Sequence, residues 1–240
     1  MFIEFCLPVY NEEPIIKERL LTLLDFLEKR ELGYEWTIVP VINGSSDRSY
    51  EISSDLSEKY PKIITRKSVK KGKGAAIRLC WKNSKAEIVV FMDADLSTSL
   101  ENIDDLIEPL LNNRADMTIG TRHHKKSDTS RSFIRKIFSQ TYNLVSRIII
   151  GHHYSDLQCG FKAIKKRAFL KIEPLIKDEN FFFDTELIIF AEKQGYKITE
   201  IPVIWEECHN ERRISNVKPI KDSIIFFYNL LKLKKNLSQD

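Results

Sequence analysis

The sequence predicts an α/β fold in which a mainly parallel central sheet carries helices on both faces. Short apolar runs of strand length alternate with segments whose apolar residues recur at helical spacing, the signature of repeated βαβ units. Several runs end in loops rich in Gly, Asn, Ser or Asp, at the carboxyl ends of strands, where ligands gather in such sheets. The chain has 240 residues, 42% of them hydrophobic and 30% charged. That suffices for one large domain, or a domain with a substantial appendage.

The first run, 2–9, opens into Tyr10-Asn11-Glu12-Glu13. Ile15, Ile16, Leu20, Leu23, Leu24 and Leu27 follow at helical spacing and close near Gly33. Residues 36–42 form a second strand ending in Asn43-Gly44-Ser45-Ser46-Asp47, where Ser45 or Ser46 would cap the next helix. Residues 63–66 read as a short third strand. Lys70-Lys71-Gly72-Lys73-Gly74 then opens a helix running through Ser84. Residues 88–92 are a buried strand, and Thr98-Ser99-Leu100-Glu101 gives its helix a capping-box start. Residues 117–119 make another strand, followed by Gly120-Thr121-Arg122. Residues 123–132 read as a polar, basic loop.

Residues 133–150 are helical, with Arg135 and Ser139 four apart on one face. Asp156 to Lys162 is a loop entering a strand. Phe182-Phe183-Asp184-Thr185-Glu186 leads into a helix ending near Gly195. Residues 197–205 form the last strand, with Pro202 marking an edge or bulge. A basic segment holding Arg212 and Arg213 precedes a closing amphipathic helix. The expected organisation is one domain over 1–240, with a nucleotide-binding half (1–122), an acceptor half (123–217) and the terminal helix (218–240).

A net charge of +4 is too mild to argue for nucleic acid. The four cysteines, Cys6, Cys80, Cys159 and Cys208, form no CxxC pair, which favours reduced thiols in a cytoplasmic protein. No leader precedes the first strand, and no apolar run nears the ~20 residues of a membrane span.

The chemistry centres on Phe91-Met92-Asp93-Ala94-Asp95-Leu96-Ser97. Two acids at the carboxyl end of a buried strand are costly unless something positive sits there. A divalent metal with a phosphorylated ligand would supply it. The alternative is a strand exit whose acids face solvent.

LPVYNEE, INGSSD, KGKGAAIR, FMDADLS, GTR, DLQCGFK and FFFDTEL occur in this order at separate strand ends. Together they resemble glycosyltransferase family 2, most of all its polyprenyl-phosphate branch of dolichyl-phosphate glucose and mannose synthases. The resemblance covers nearly the whole chain. It implies the GT-A type of fold, Rossmann-like, and transfer of a hexose from a nucleotide sugar to a polyprenyl or dolichyl phosphate. UDP-glucose is the implied donor, with GDP-mannose the near alternative, and Mg2+ or Mn2+ the implied cofactor.

Carried over residue by residue, the resemblance makes Asp95 the metal ligand and places Asp93 at the ribose or in support of the site. Pro8, Tyr10, Glu12 and Asn43 become donor contacts, and Lys73 a phosphate or base contact. Arg122, Arg135 and Ser139 match acceptor-phosphate positions, completed by Arg212 or Arg213. The chain departs from the family pattern at Ile42, where an acid is common, and at Ser97, where mannose synthases often carry a metal-holding glutamine. Asp184 is open to three roles: helix cap, sugar contact, or base for a saccharide hydroxyl acceptor, which Glu186 could also serve. A binding protein without catalysis is the non-enzyme reading. His123, His124, His152 and His153 read as solvated loop residues. The terminal helix, with Ile225, Phe226, Phe227 and Tyr228 followed by lysines, suits a peripheral site at the cytoplasmic face of a membrane.

Overall fold

The computed structural model describes residues 1–130, 133–207 and 219–238, and for 130, 133–136 and 219–223 the backbone alone. In chain order the elements are β1 (Phe2–Val9), α1 (Ile16–Glu28), β2 (Glu35–Asn43), α2 (Ser49–Lys59), β3 (Arg66–Ser68), α3 (Lys73–Asn83), β4 (Ile88–Met92) and α4 (Ile103–Leu111). There follow β5 (Met117–Thr121), β6 (Asp128–Ser130), α5 (Phe133–Ile150), β7 (Phe161–Lys165), α6 (Lys166–Ile172) and α7 (Phe183–Lys193). The chain closes with β8 (Ile198–Pro202), β9 (Ile204–Glu206) and α8 (Pro219–Leu237).

Seven strands form one sheet in the order β3-β2-β1-β4-β7-β5-β8, and β6 pairs with β9 in a second, two-stranded sheet. Every neighbouring pair in the large sheet is parallel except the two made by β7, which runs antiparallel between β4 and β5. The mainly parallel prediction holds. β7 comes from the acceptor half of the sequence, yet it fills the centre of the sheet beside the acid-bearing strand.

The side-chain period of a strand divides the core in two. Ile88, Val90 and Met92 of β4 face one apolar cluster with Ile3, Phe5, Leu7, Leu20, Leu23 and Leu106. Val89 and Phe91 face the other, with Ile77, Trp81, Phe169, Leu187 and Ile188. The sheet is therefore covered on both faces. Trp81 anchors the second cluster, its ring edge-on to Phe169 at 4.9 Å. From α8, Leu230 and Leu233 are buried in that cluster, and the Phe226 ring lies 5.1 Å from Tyr142 of α5.

Several boundaries differ from expectation, each for a local reason. Neither Ser45 nor Ser46 caps α2: Ser45 Oγ accepts from Asn11 N, and Asp47 Oδ1 accepts from Ser49 N near the helix start. Ser99, not Thr98, caps the turn before α4 by accepting from Glu101 N. The third strand starts at Arg66 because β2 pairs with Arg66–Ser68, while Ile63 makes only a bridge to Ile38. The last strand divides at Val203 into β8 and β9. Pro202 ends β8 on the sheet edge, where a missing N–H is tolerated. The 123–132 segment holds β6, and α6 has no counterpart in the sequence prediction.

Candidate active site

At the end of β4, Asp93 N donates to Gly160 O at 3.0 Å, and Leu96 N donates back to Asp93 O at 3.0 Å. Leu96 has φ +52°, a left-handed conformation that a bulky residue rarely adopts. Asp95 Oδ1 accepts from Ser97 N at 3.1 Å. The two acids thus sit on a tight, hydrogen-bonded turn. Residues 97–99 are also tied to β9, through Glu206 N to Ser97 O and Ser99 N to Ile204 O, both 2.9 Å. That sets Trp205 opposite Thr98, three residues beyond Asp95 in the chain.

Three loops are knitted together beside this turn. Glu12 N donates to Ser49 Oγ at 3.0 Å, and Ser46 N to Asn11 Oδ1 at 2.9 Å. Lys71 Nζ donates to the Tyr10 hydroxyl at 2.5 Å, and Asn43 Oδ1 accepts from Gly72 N at 3.4 Å. Pro8 lies in β1 opposite Val41 of β2. The structure brings Pro8, Tyr10, Glu12 and Asn43 to one end of the sheet.

The helix start at Lys73 is closed by the 179–183 segment. It is not an open cradle for an anion: Gly74 N donates to Asn180 O and Ala75 N to Glu179 O. A Cβ on Gly72 or Gly74 would run into the 179–183 segment, so glycine is required there for close approach. Lys73 turns inward instead. Its Nζ lies 3.0 Å from Asp93 Oδ1 and 3.2 Å from Asp184 Oδ2. Burial pulls the Lys73 pKa down, but Asp184 and Asp93 together outweigh that and raise it, so the ammonium stays charged.

Asp184 does not cap α7, whose start has no side-chain cap. Its Oδ1 accepts from Lys162 Nζ at 2.6 Å, and Lys162 also donates to Cys159 O at 2.5 Å. The Lys162 side chain is 0% exposed and that of Asp184 1%. Breaking such a buried pair by removing one partner costs about 3–5 kcal/mol. Asp184 Oδ2 has no hydrogen bond. Glu186 is elsewhere engaged: its Oε2 accepts from Lys177 N and Asp178 N, both at 2.7 Å, and supports the 177–183 segment.

Arg122 grips buried Asp156 in a fork, Nε to Oδ2 at 2.6 Å and Nη2 to Oδ1 at 2.9 Å. Burial opposes charge on both, but their attraction prevails, holding the Asp156 pKa well below and the Arg122 pKa above the ordinary range. The Arg122 guanidinium also lies 5.9 Å from the Trp205 ring. Ser139 Oγ pairs with His123 Nε2 at 2.9 Å. His123 is therefore part of this region and not a solvated loop residue. His152 is buried against Ser146 Oγ at 2.9 Å, and burial lowers its pKa to about 4. His124 and His153 are exposed. The Arg135 side chain, Arg212 and Arg213 lie outside what is described. Cys6, Cys80 and Cys159 are free and buried.

Sequence reasoning missed Gly160, Lys162, Asp156 and Trp205 as parts of the site. A lysine between the apolar residues Phe161 and Ala163, at the start of a strand that enters the core, was the available signal, since a buried lysine demands a partner.

A family model described as glycosyl transferase family 2 matches residues 4–172. The chain belongs to glycosyltransferase family 2. This glycosyltransferase is 30% identical over 222 residues to a dolichyl-phosphate beta-glucosyltransferase of Trichomonas vaginalis, covering 88% of this chain and 68% of the relative. It is 28% identical over 247 residues to the Saccharomyces cerevisiae dolichyl-phosphate beta-glucosyltransferase, covering 94% and 74%. Among solved structures, its fold matches glucosyl-3-phosphoglycerate synthase of Mycobacterium tuberculosis in complex with uridine diphosphate, at a TM-score of 0.68 and 16% identity, covering 96% of this chain and 80% of that one. It also matches S. aureus TarS 1–349 in complex with UDP-GlcNAc, at a TM-score of 0.61 and 19% identity, covering 98% and 65%. The fold is of the GT-A type.

Gly160 yields a prediction. A Cβ there would overlap the Asp93 carboxylate, the nearest group to that position. In a Gly160→Ala variant the half-exposed carboxylate moves aside, at a cost within roughly 1 kcal/mol of stability. Glycosyl transfer falls at least about 100-fold, since small misplacements at a reacting site cost that much. Steady-state kinetics beside chemical denaturation check it, and an alanine variant with full activity would contradict it.

Proposed function

We propose that this glycosyltransferase moves glucose from UDP-glucose onto a polyprenyl or dolichyl phosphate, by one in-line displacement that inverts the anomeric carbon. The observation that carries this reading is how Asp184 is engaged. A saccharide hydroxyl acceptor needs a base, and Asp184 is the acid placed to be one. Its carboxylate is instead enclosed between Lys162 and Lys73 and shut off from solvent. A phosphate monoester, with a second pKa of about 6, is mostly dianionic at neutral pH and needs no base. The names of the curated relatives support the sugar and the acceptor. The uridine nucleotides held by the structural neighbours support the donor.

The donor set fits a hard divalent ion. Asp93 and Asp95 stand at one strand end, and among the described residues no third acid, histidine or cysteine joins them. Magnesium is held in this way, by one or two carboxylates with substrate phosphates. Asp95, with Asp93 beside it, would hold Mg2+ or Mn2+, which when bound offsets the negative charge of a departing diphosphate. Lys73 adds positive charge at the same strand end. Pro8, Tyr10, Glu12 and Asn43 line the loops that would take the nucleotide. Asp156 occupies one edge of the Arg122 guanidinium, leaving the other N–H groups for an acceptor phosphate. Ser139, Arg135, Arg212 and Arg213 would complete that side.

The protein would work at the cytoplasmic face of a membrane. Among the described residues no helix is long and apolar enough to cross one. Ile224, Ile225, Phe227, Tyr228 and Leu231 of α8 are exposed, as are Ile137, Leu144 and Ile148 of the adjacent α5. Lys232, Lys234 and Lys235 follow on α8. An apolar surface bordered by lysines suits an anionic bilayer.

Incubation with radiolabelled UDP-glucose, Mn2+ or Mg2+, and a short polyprenyl phosphate is expected to put label into the organic phase. Absence of such label with any nucleotide sugar, GDP-mannose included, would overturn the reading. Vesicle flotation tests the surface. The pair Phe227→Ser and Leu231→Gln, both at exposed positions, is expected to weaken binding to anionic vesicles about tenfold or more, given ~1.5–3 kcal/mol for each apolar side chain buried. Unchanged flotation would count against the α8 face.

A further inference from the structure

Two lysines meet at Asp184, and they are held in different ways. Lys162 is fixed: it is 0% exposed, it lies in a central strand, and its ammonium donates to both Asp184 Oδ1 and Cys159 O. The Lys73 backbone is also fixed, because its flanking glycines press against the 179–183 segment. The Lys73 side chain is less constrained. It is 12% exposed, and it spans from Asp93 Oδ1 at 3.0 Å to Asp184 Oδ2 at 3.2 Å, where no hydrogen bond forms. Asp93, its other partner, is 43% exposed.

Charge decides what this arrangement can do. Lys73 and Lys162 balance Asp93 and Asp184 with nothing bound. A cation arriving at Asp93 meets the Lys73 ammonium already there, and the two like charges repel at contact range. Lys73 can leave Asp93 without leaving a buried charge uncompensated, because Lys162 still neutralises Asp184. Lys73 would exchange its pair with Asp93 for one with an anion of the donor, and the arriving cation would compensate Asp93.

We propose that Lys73 is an exchangeable counter-cation: it pairs with Asp93 in the donor-free enzyme and transfers to the donor's diphosphate on binding, while Lys162 holds the charge of Asp184 throughout. This rests on the reading of the β4 end as a diphosphate–metal site. It makes Lys73 a competitor for metal before the nucleotide arrives and a ligand for the nucleotide afterwards. Metal loading without donor is thereby disfavoured.

Titration calorimetry with Mn2+ and UDP tests it. Lys73→Met is expected to bind Mn2+ alone more tightly than the unsubstituted enzyme, by about tenfold or more, the usual scale of coupling between sites. The same variant is expected to bind UDP in the presence of Mn2+ more weakly. Unchanged or weaker Mn2+ binding in the variant would overturn the exchange. Lys73→Gln carries the same prediction should the methionine variant fold poorly. Nitrogen-15 signals of the lysine ammonium groups provide a test in the unsubstituted chain. On addition of UDP and Mg2+ the Lys73 signal is expected to shift while that of Lys162 holds, and an unmoved Lys73 signal would overturn the proposal. If the unsubstituted enzyme binds no UDP with either metal, the diphosphate–metal reading itself fails and takes the exchange with it. If it binds UDP and the variant gains no metal affinity, the exchange alone fails.

Discussion

A lysine sealed inside the sheet sets the terms for everything around it. Lys162 is as buried as the phenylalanines beside it, and an ammonium group in that position must be paired or lose its charge. Asp184 supplies the pairing. A hydrophobic residue would have packed there at less cost, since buried ion pairs seldom outperform well-packed apolar side chains in stability. The pair makes chemical sense as part of a larger array. It fixes one carboxylate, that carboxylate helps fix Lys73, and Lys73 meets the first acid of the β4 turn.

The topology makes the array possible. β7 enters the sheet antiparallel between β4 and β5, so its beginning lies beside the carboxyl end of β4. Gly160 packs on Asp93 at that junction, and Lys162 reaches Asp184 of α7. The 177–183 segment closes the start of α3 with its carbonyls and is itself held by Glu186 and Asp178. Segments far apart in sequence thus converge on one pair of acids. Arg122 and Trp205 close the other side, with Asp156 holding the guanidinium in place.

How much of this the sequence discloses depends on whether the signal is local. The strands at Phe2–Val9 and Ile88–Met92 and the helix at Phe133–Ile150 were legible because each is a long periodic or apolar run. The third strand was displaced because Ile63 and Ile64 look like strand residues, whereas the pairing of β2 selects Arg66–Ser68. The acids Asp93 and Asp95 were legible from their position after a buried strand. Their partners were not, because spacing cannot show that Lys73 turns inward from a helix start closed by the 179–183 segment or that Asp156 takes the fork of Arg122. His123 and His152 look alike in sequence; only tertiary packing gives the one a serine partner beside the site and the other a buried, structural place.

The most direct measurement is an anomalous difference map from crystals grown with UDP and Mn2+. A manganese peak at Asp95 is predicted, with the diphosphate beside it and the uridine along the loops that follow β1 and β2. A manganese peak remote from the end of β4, or a nucleotide bound elsewhere on the sheet, would contradict the account.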